Sequence, residues 1–241
     1  MNTTRAPAFR RCPAALLLGL VLGCASAGLA QAEAPMTTDD AGTLDRGAFK
    51  VEGTLHRDNR ARGADLALGA GVAEGLELGV ALSRDKDRQT RNAVELQGQG
   101  LTVKWVPLQA DAGWSLGARL DLNHPRTRTD AAPQPVSTRE RALLALATYR
   151  QDRWALHFNA GQRSAKSQGV RETAATWAAG AEAPLTGVLQ LTAEIHGEQR
   201  ARPDKALGMR YTLAEGLKLS ASAGWGSGRT FAQAGVAWEF H

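Results

Sequence analysis

The chain has 241 residues, of which 43% are hydrophobic and 22% charged, with a formal net charge of +5 and two cysteines. This composition excludes a disordered chain, because the apolar fraction is high and the charge imbalance is small. It also excludes a helical membrane protein, since the longest apolar run, from Ala14 to Leu22, is about half of the roughly 18 residues that a membrane helix needs.

Residues 1–32 have the features of a secretory signal peptide: arginines, then an apolar run, then small residues. Cleavage after Ala32 fits best, and cleavage after Ala27 is an alternative. Val21 to Cys24 also resembles a lipoprotein cleavage box, which leaves lipidation of Cys24 open. Removal of residues 1–32 takes away three arginines, no acids and both cysteines, so the mature charge is +2. A chain without cysteine has no disulfide framework.

From residue 47 onward, apolar and polar residues alternate with the period of β-strands that have one apolar and one polar face. The alternation predicts twelve strands, at 47–56, 63–72, 75–84, 93–106, 113–123, 140–150, 153–162, 172–183, 187–198, 205–213, 216–226 and 230–240. Most have about ten residues, the length of a tilted transmembrane strand. The phase slips between Gly98 and Leu101, which predicts a β-bulge there.

The predicted connections alternate between short turns and, with one exception, longer charged loops. An even number of strands joined in this way indicates an all-β, twelve-stranded antiparallel up-and-down transmembrane β-barrel of the bacterial outer membrane. The predicted organisation is a signal peptide at 1–32, a periplasmic N-terminal segment at 33–46 and the barrel at 47–241. The alternative is a soluble periplasmic β-rich protein that binds a ligand.

Aromatic residues favour the membrane barrel, because most of them fall near the predicted periplasmic strand ends, where membrane barrels carry aromatic girdles. They are Phe49, Trp105, Trp114, Tyr149, Trp154, Tyr211, Trp238 and Phe240, with Trp225 at an opposite end. Trp177 falls in the middle of a strand and does not fit.

The last strand carries a motif of its own. Gln233, Gly235, Trp238 and Phe240 resemble the C-terminal signal of bacterial outer-membrane barrels. The resemblance implies recognition by the barrel assembly machinery. His241 departs from the pattern, because the terminal Phe stands one residue before the end.

A narrower resemblance covers Thr37 to Leu44, Gly47 to Glu52 and Gly75 to Val80. These motifs resemble the outer-membrane transporter family that is linked to phenol-degradation pathways. The resemblance implies a barrel that passes small, often aromatic, molecules.

If the apolar residues face lipid, the alternate residues face the lumen. The candidate lumen residues are Lys50, Glu52, Glu77, Glu95, Lys104, Arg119, Asp121, His157, Glu182, Glu194, His196, Arg210, Lys218 and Glu239. Twelve strands lie between a filled barrel and an open channel. Two functions therefore stay open: a channel or transporter that passes small polar or aromatic solutes, and a structural barrel whose salt bridges plug the interior.

The predicted long loops are rich in arginine, and Arg126, Arg128, Arg139 and Arg141 are candidates to bind the phosphates of lipopolysaccharide. No enzyme is predicted, because His56, His157 and His196 all share the inward phase and leave no Ser-His pair on the lipid-facing strands. Their spacing does not suggest a metal site, no cofactor is expected, and the scattered bases do not suggest nucleic acid as a partner. Solute identity, gating and oligomeric state are left open.

Overall fold

The computed structural model describes residues 33–87, 94–130 and 134–241, so the predicted signal peptide, including Cys24, lies outside the described residues. The described residues include no helix that is long and apolar enough to cross a membrane. The strands are β1 (Phe49–Asp58), β2 (Ala61–Ala73), β3 (Leu76–Asp87), β4 (Val94–Leu108), β5 (Gly113–Asn123), β6 (Arg126–Thr129), β7 (Val136–Gln151), β8 (Trp154–Ser167), β9 (Val170–Pro184), β10 (Leu189–Glu198), β11 (Asp204–Ala214), β12 (Leu217–Gly226) and β13 (Arg229–Phe240).

These strands form one closed antiparallel sheet, in which β13 returns to pair with β1 along its length. The short β6 continues β5 in the same register against both β4 and β7. The interruption falls at His124 and Pro125, and proline has no N–H to donate to a neighbouring strand. The barrel therefore has twelve strands in up-and-down order, which confirms the predicted fold.

The predicted bulge between Gly98 and Leu101 is wrong. Strand β4 pairs with β3 without a register shift from Val94 to Trp105, and Gln99 lies opposite Leu82. The irregularity comes later, between Trp105 and Leu108 against β5. The sequence pattern gave a wrong prediction because inward glycines alternate here with outward glutamines. The outward face is therefore polar and the inward face is not, the reverse of the usual pattern in a membrane barrel.

The strands are longer than the hydrophobic pattern predicts, up to 16 residues in β7. The predicted loop at 163–171 shrinks to the turn Gln168-Gly169, where both residues have positive φ, as type I′ hairpins require. Beyond the apolar part of the barrel both faces of a strand meet water. Backbone pairing continues there although the alternation of apolar and polar residues has ended.

The outer surface of the barrel is apolar. Large side chains such as Leu82, Leu143 and Leu207 are about 60% exposed, whereas charged side chains such as Arg119 and Asp121 are buried in the interior. A soluble protein does not surround itself with a belt of this kind, so the soluble alternative is wrong.

Aromatic side chains form the predicted girdle at the end with the short turns. Trp114 packs on Tyr149 at 5.1 Å between ring centroids, and Trp238 packs on Phe240 at 4.8 Å. Both pairs lie near the ends of their strands, at the height where a membrane meets water. Trp177 is exposed near the middle of β9, as the sequence indicated.

Candidate functional site in the barrel interior

Residues 33–46, which we call the plug segment, lie inside the barrel. The segment has no helix or strand and crosses the lumen from β11 and β12, where Arg210 and Ser222 donate hydrogen bonds to its backbone, to β3 at Glu77. The sequence pattern places these residues outside the strands, in a segment predicted on the periplasmic side. They occupy the end of the barrel with the short turns, but within the lumen. That this end faces the periplasm is a proposal.

Three lumen carboxylates bind the backbone of the plug segment. Glu52 accepts the N–H of Ala34 at 2.9 Å, and Glu77 accepts that of Leu44 at 3.0 Å. Glu194 accepts from the N–H groups of both Thr37 and Thr38 at 2.8 Å and from the Thr38 hydroxyl at 2.9 Å. A segment without secondary structure has backbone donors to satisfy, and charged acceptors make the stronger hydrogen bonds. These three residues are therefore anchors of the plug segment.

A charge cluster that is buried around Asp39 and partly exposed at Asp40 holds the middle of the plug segment. Asp39 is 2% exposed and receives Lys104 Nζ at 2.9 Å on one carboxylate oxygen and Arg119 Nη1 at 2.8 Å on the other. Asp40 receives Lys104 Nζ at 3.0 Å and Arg150 Nη2 at 2.8 Å. Burial alone would raise the pKa of the Asp40 carboxyl, but the charges of Lys104 and Arg150 outweigh burial and hold that pKa below its usual range.

A short hydrogen-bond chain connects the plug segment to His157. The hydroxyl of Thr148 accepts the N–H of Ala41 at 2.7 Å and lies 3.0 Å from Nδ1 of His157. A hydroxyl oxygen has two lone pairs, so Thr148 can donate to Nδ1 or accept from it, according to the tautomer of His157. Nε2 lies 3.9 Å from Glu182. His157 thus supports the wall behind the plug segment.

Leu144, Leu146 and Val106 line the lumen beside this chain and form an apolar cluster with Ala41 of the plug segment. Ala41 is completely buried. The plug segment is therefore held by apolar packing as well as by charge.

The other half of the lumen contains three groups in which one cation lies between two carboxylates. Arg229 contacts Asp58 and Asp204, at 3.4 and 2.7 Å. Arg163 contacts Glu198 at 2.7 Å and Glu140 at 3.6 Å. In the third group, the two ring nitrogens of His56 contact Asp65 and Asp85. Each group keeps a carboxylate in excess, so this half of the lumen is acidic.

The structure places most of the predicted lumen residues on the inward face. Arg210 contacts Glu182 at 3.0 Å, and Lys218 contacts Glu33 of the plug segment at 2.8 Å. Register pairs Lys50 with Glu239 and His196 with Asp204. The inward face therefore includes Lys50, Glu52, Glu77, Lys104, Arg119, Asp121, His157, Glu182, Glu194, His196, Arg210, Lys218 and Glu239.

Glu95 does not belong to this set. Its register partner on β3 is Lys86, on the face that carries Leu82, and its carboxylate contacts the exposed Arg84. The inward assignment of Glu95 is wrong because it assumed the bulge that β4 lacks. The plug residues Asp39 and Asp40 were not among the predicted site residues, because they lie before the first strand, where alternation gives no signal.

The four arginines proposed for lipopolysaccharide form an exposed group, the arginine band. Arg126 and Arg128 lie on β6, and Arg139 and Arg141 lie on the neighbouring β7. All four are exposed, whereas Thr127, between the first two, is buried. They were expected in a loop, but they extend outward from strands beyond the apolar belt.

Histidines of the strands do not form a lipid-facing pair with serine. His157 is 2% exposed, and His56 contacts two carboxylates in the lumen. In residues 33–87, 94–130 and 134–241, no group of three His, Cys, Asp or Glu side chains could hold a metal ion. That the protein is not an enzyme stays a prediction.

A closed barrel with an apolar exterior, aromatic girdles and a charged interior is a transmembrane β-barrel. Its up-and-down topology is that of bacterial outer-membrane proteins, and the apolar outer surface of the barrel contacts the lipids of that membrane.

Known structures agree with this class. The KdgM porin superposes with a TM-score of 0.62 at 11% identity, over 80% of this chain and 99% of the porin. The translocator domain of the autotransporter NalP from Neisseria meningitidis gives 0.59 at 15% identity, over 94% and 95% of the two chains. An outer-membrane channel from Pseudomonas putida F1 gives 0.57 at 12% identity, over 83% and 98%. At these identities the likeness concerns the fold alone. No protein-family model and no curated protein matches the chain.

Proposed function

We propose that the protein is an outer-membrane channel for small polar or aromatic solutes, closed in the observed conformation by its plug segment. The observation that carries the proposal is the attachment of residues 33–46 inside the lumen by polar contacts to opposite walls. Asp39 binds β4 and β5, while Thr38 binds β10. A structural barrel could fill its interior with side chains from its own strands. A separate segment without secondary structure can leave the lumen without breaking a single strand pairing.

Two resemblances support solute passage. The motifs at Thr37 to Leu44 and Gly75 to Val80 resemble the transporter family linked to phenol-degradation pathways, which favours aromatic molecules as solutes. The folds of the KdgM porin and of the Pseudomonas putida channel are also similar. One KdgM structure holds a disordered oligogalacturonate, so a barrel of this fold accommodates an elongated polar ligand.

Liposome swelling tests the proposal. Proteoliposomes that contain the wild type and Glu194→Ala are compared in isosmotic arabinose, glycine and sodium benzoate. Glu194→Ala removes the acceptor of three plug hydrogen bonds, so it is expected to swell faster than the wild type. Thr192→Ala, on the same face of β10, is the matched control. If Glu194→Ala liposomes swell no faster than protein-free ones in any solute, the channel is contradicted.

A second candidate function is that of a plugged structural barrel that binds lipopolysaccharide, and the arginine band favours it. Four exposed guanidinium groups on two adjacent strands match the phosphates of that lipid. The two candidates differ in the lumen, because only a channel transports solute when the plug segment is loosened.

We also propose that the barrel assembly machinery recognises the last strand. Trp238 and Phe240 lie on its outward face and pack together, whereas Gln233 turns inward to the backbone of Pro35 in the plug segment. Phe240→Ala is expected to slow assembly of the chain by purified assembly machinery, and an unchanged rate would contradict this recognition.

A further inference from the structure

The charges around the centre of the plug segment balance only when that segment is present. The wall supplies Lys104, Arg119 and Arg150 with one carboxylate, Asp121, which is bonded to Arg119 at 2.9 Å. The formal charge of these four wall groups is +2. Asp39 and Asp40 bring two negative charges, so the cluster becomes neutral.

The wall groups have the geometry of a carboxylate-binding site. Lys104 and Arg119 bind different oxygens of the Asp39 carboxylate, at 2.9 and 2.8 Å. Arg119 is 2% exposed and Lys104 6%, so both cations meet the carboxylate away from bulk water. Asn159 fixes the backbone of the same residue, with its Nδ2 donating to the carbonyl of Asp39 and its Oδ1 accepting the N–H.

Departure of the plug segment would leave this site with uncompensated charge. Removing one partner of a buried ion pair is costly because the other charge remains in a poor solvent. Asp121 cannot compensate, since it already bonds Arg119 and Thr102. Glu77, next to Lys104 in register, is negatively charged in both states and already faces the cation of Lys50, so the release of Leu44 brings no new charge to the site. Two uncompensated positive charges then remain among the four wall groups, and an anion that replaces the Asp39 carboxylate would neutralise one of them.

We propose that Lys104, Arg119 and Arg150 form a binding site for the carboxylate of a small organic anion, which Asp39 and Asp40 occupy in the closed state. An entering carboxylate competes with the plug segment for these cations and favours its release. The inference deepens the proposed function, because it assigns the solute class as carboxylates, and it rests on the plug segment closing a channel.

Thiol labelling measures release of the plug segment without depending on transport. Ala41 is completely buried, so Ala41→Cys, in a chain with Cys12→Ser and Cys24→Ser, reacts with a maleimide only after release. The probe is sodium acetate, which has the chemistry of an aspartate side chain. Acetate at about ten times its dissociation constant is expected to raise the labelling rate about tenfold. Acetamide, which has the same shape without the charge, and sodium chloride at equal ionic strength should leave the rate unchanged.

Variants separate the anion site from the stability of the plug segment. Lys104→Gln is expected to lose most of the acetate response, whereas Lys104→Arg keeps it. Glu194→Ala loosens the plug segment at a different wall, so it raises the basal rate but retains the response to acetate. Asp111→Cys, at an exposed turn, corrects for reagent reactivity. Heat-modifiable migration on a gel confirms that each variant is folded.

Equal labelling rates in acetate, acetamide and chloride would overturn the carboxylate site. An acetate response that Lys104→Gln retains in full would overturn it as well. The proposed function fails in a different experiment: if Glu194→Ala labels rapidly but does not admit solute into liposomes, the channel and the assignment of carboxylates as its solutes are wrong, whereas an acetate response that depends on Lys104 would still show anion binding.

Discussion

Asp39 and Arg119, 80 residues apart in the chain, form a buried ion pair of 2.8 Å between the plug segment and the barrel wall. The pair joins a segment outside the sheet to the middle of β5. Its energy depends on the exclusion of water from both groups, because exposed ion pairs contribute little. Opening of the lumen to water would therefore weaken this ion pair.

The first prediction concerns space for the plug segment. A Cβ atom added to Gly180 would lie within 2.2 Å of Met36 and 3.1 Å of Thr38, so Gly180→Leu should displace both. Overpacking of this kind costs about 1–3 kcal/mol, which corresponds to roughly a five- to 150-fold higher labelling rate of Ala41→Cys. Ala179→Leu, on the lipid-facing side of β9, is the control. Equal rates for the two variants would show that Met36 does not hold the plug segment.

The second prediction concerns the far half of the lumen. Arg229→Gln would leave Asp58 and Asp204 without their shared cation. The loss of a largely buried pair is expected to cost about 3 kcal/mol and to lower the temperature at which heat-modifiable migration is lost. Arg202→Gln, in an exposed position of the β10–β11 loop, should have no effect. A variant as stable as the control would mean that water satisfies both carboxylates.

The third prediction concerns the arginine band. Replacing Arg126, Arg128, Arg139 and Arg141 with Gln should reduce the lipopolysaccharide that copurifies with the barrel, because guanidinium groups bind phosphate in two-pronged hydrogen bonds. Arg57→Gln with Arg62→Gln changes exposed arginines that are paired on β1 and β2 and serves as the control. Mass spectrometry of bound lipid measures the difference. A band variant that retains as much lipid as the control would refute this partner.

The fourth prediction is the response of the closed state to acid. The pKa of Asp40 is below its ordinary value. At any pH above about 3.9, the ordinary pKa of an aspartate, this carboxylate therefore stabilises the docked plug segment in full. The stabilisation is lost only as pH falls through the lower pKa of the docked state. Wild-type conductance should therefore be the same at pH 7 and pH 5. If channel openings become more frequent as the pH is lowered from 7 to 5, titratable groups other than Asp40 control the plug segment.

The sequence alone predicts the barrel because lipid imposes a strict alternation on each strand. The strand order, the girdle around Trp114 and the inward face that carries Arg119 follow from that alternation. Its limits are equally physical. Strand β7 extends through Arg139 and Arg141 into water, where alternation ends and the pattern resembles a loop. At Gln97 and Gln99 the outward face is polar and the inward residues are glycines, which is the reverse of the apolar outward and polar inward faces of the other strands.

The plug segment could not be predicted from alternation, because a chain without regular structure has no period. Its contacts join residues that are far apart in sequence, such as Thr38 with Glu194 and Asp39 with Asn159. One sequence signal was present: the adjacent acids Asp39 and Asp40 precede a barrel whose inward faces contain buried cations. Charges of a narrow lumen need partners, and an acidic segment beside the first strand is a candidate to supply them.

Single-channel conductance of the full-length chain in planar bilayers tests the central claim most directly. The wild type is compared with Asp39→Ala/Glu194→Ala, which removes a plug carboxylate and a wall anchor at different strands. We expect a mostly closed wild type and a variant with long open periods of uniform conductance. A variant that remains silent, although labelling of Ala41→Cys shows its plug segment released, would contradict the account and leave a barrel closed by its own walls.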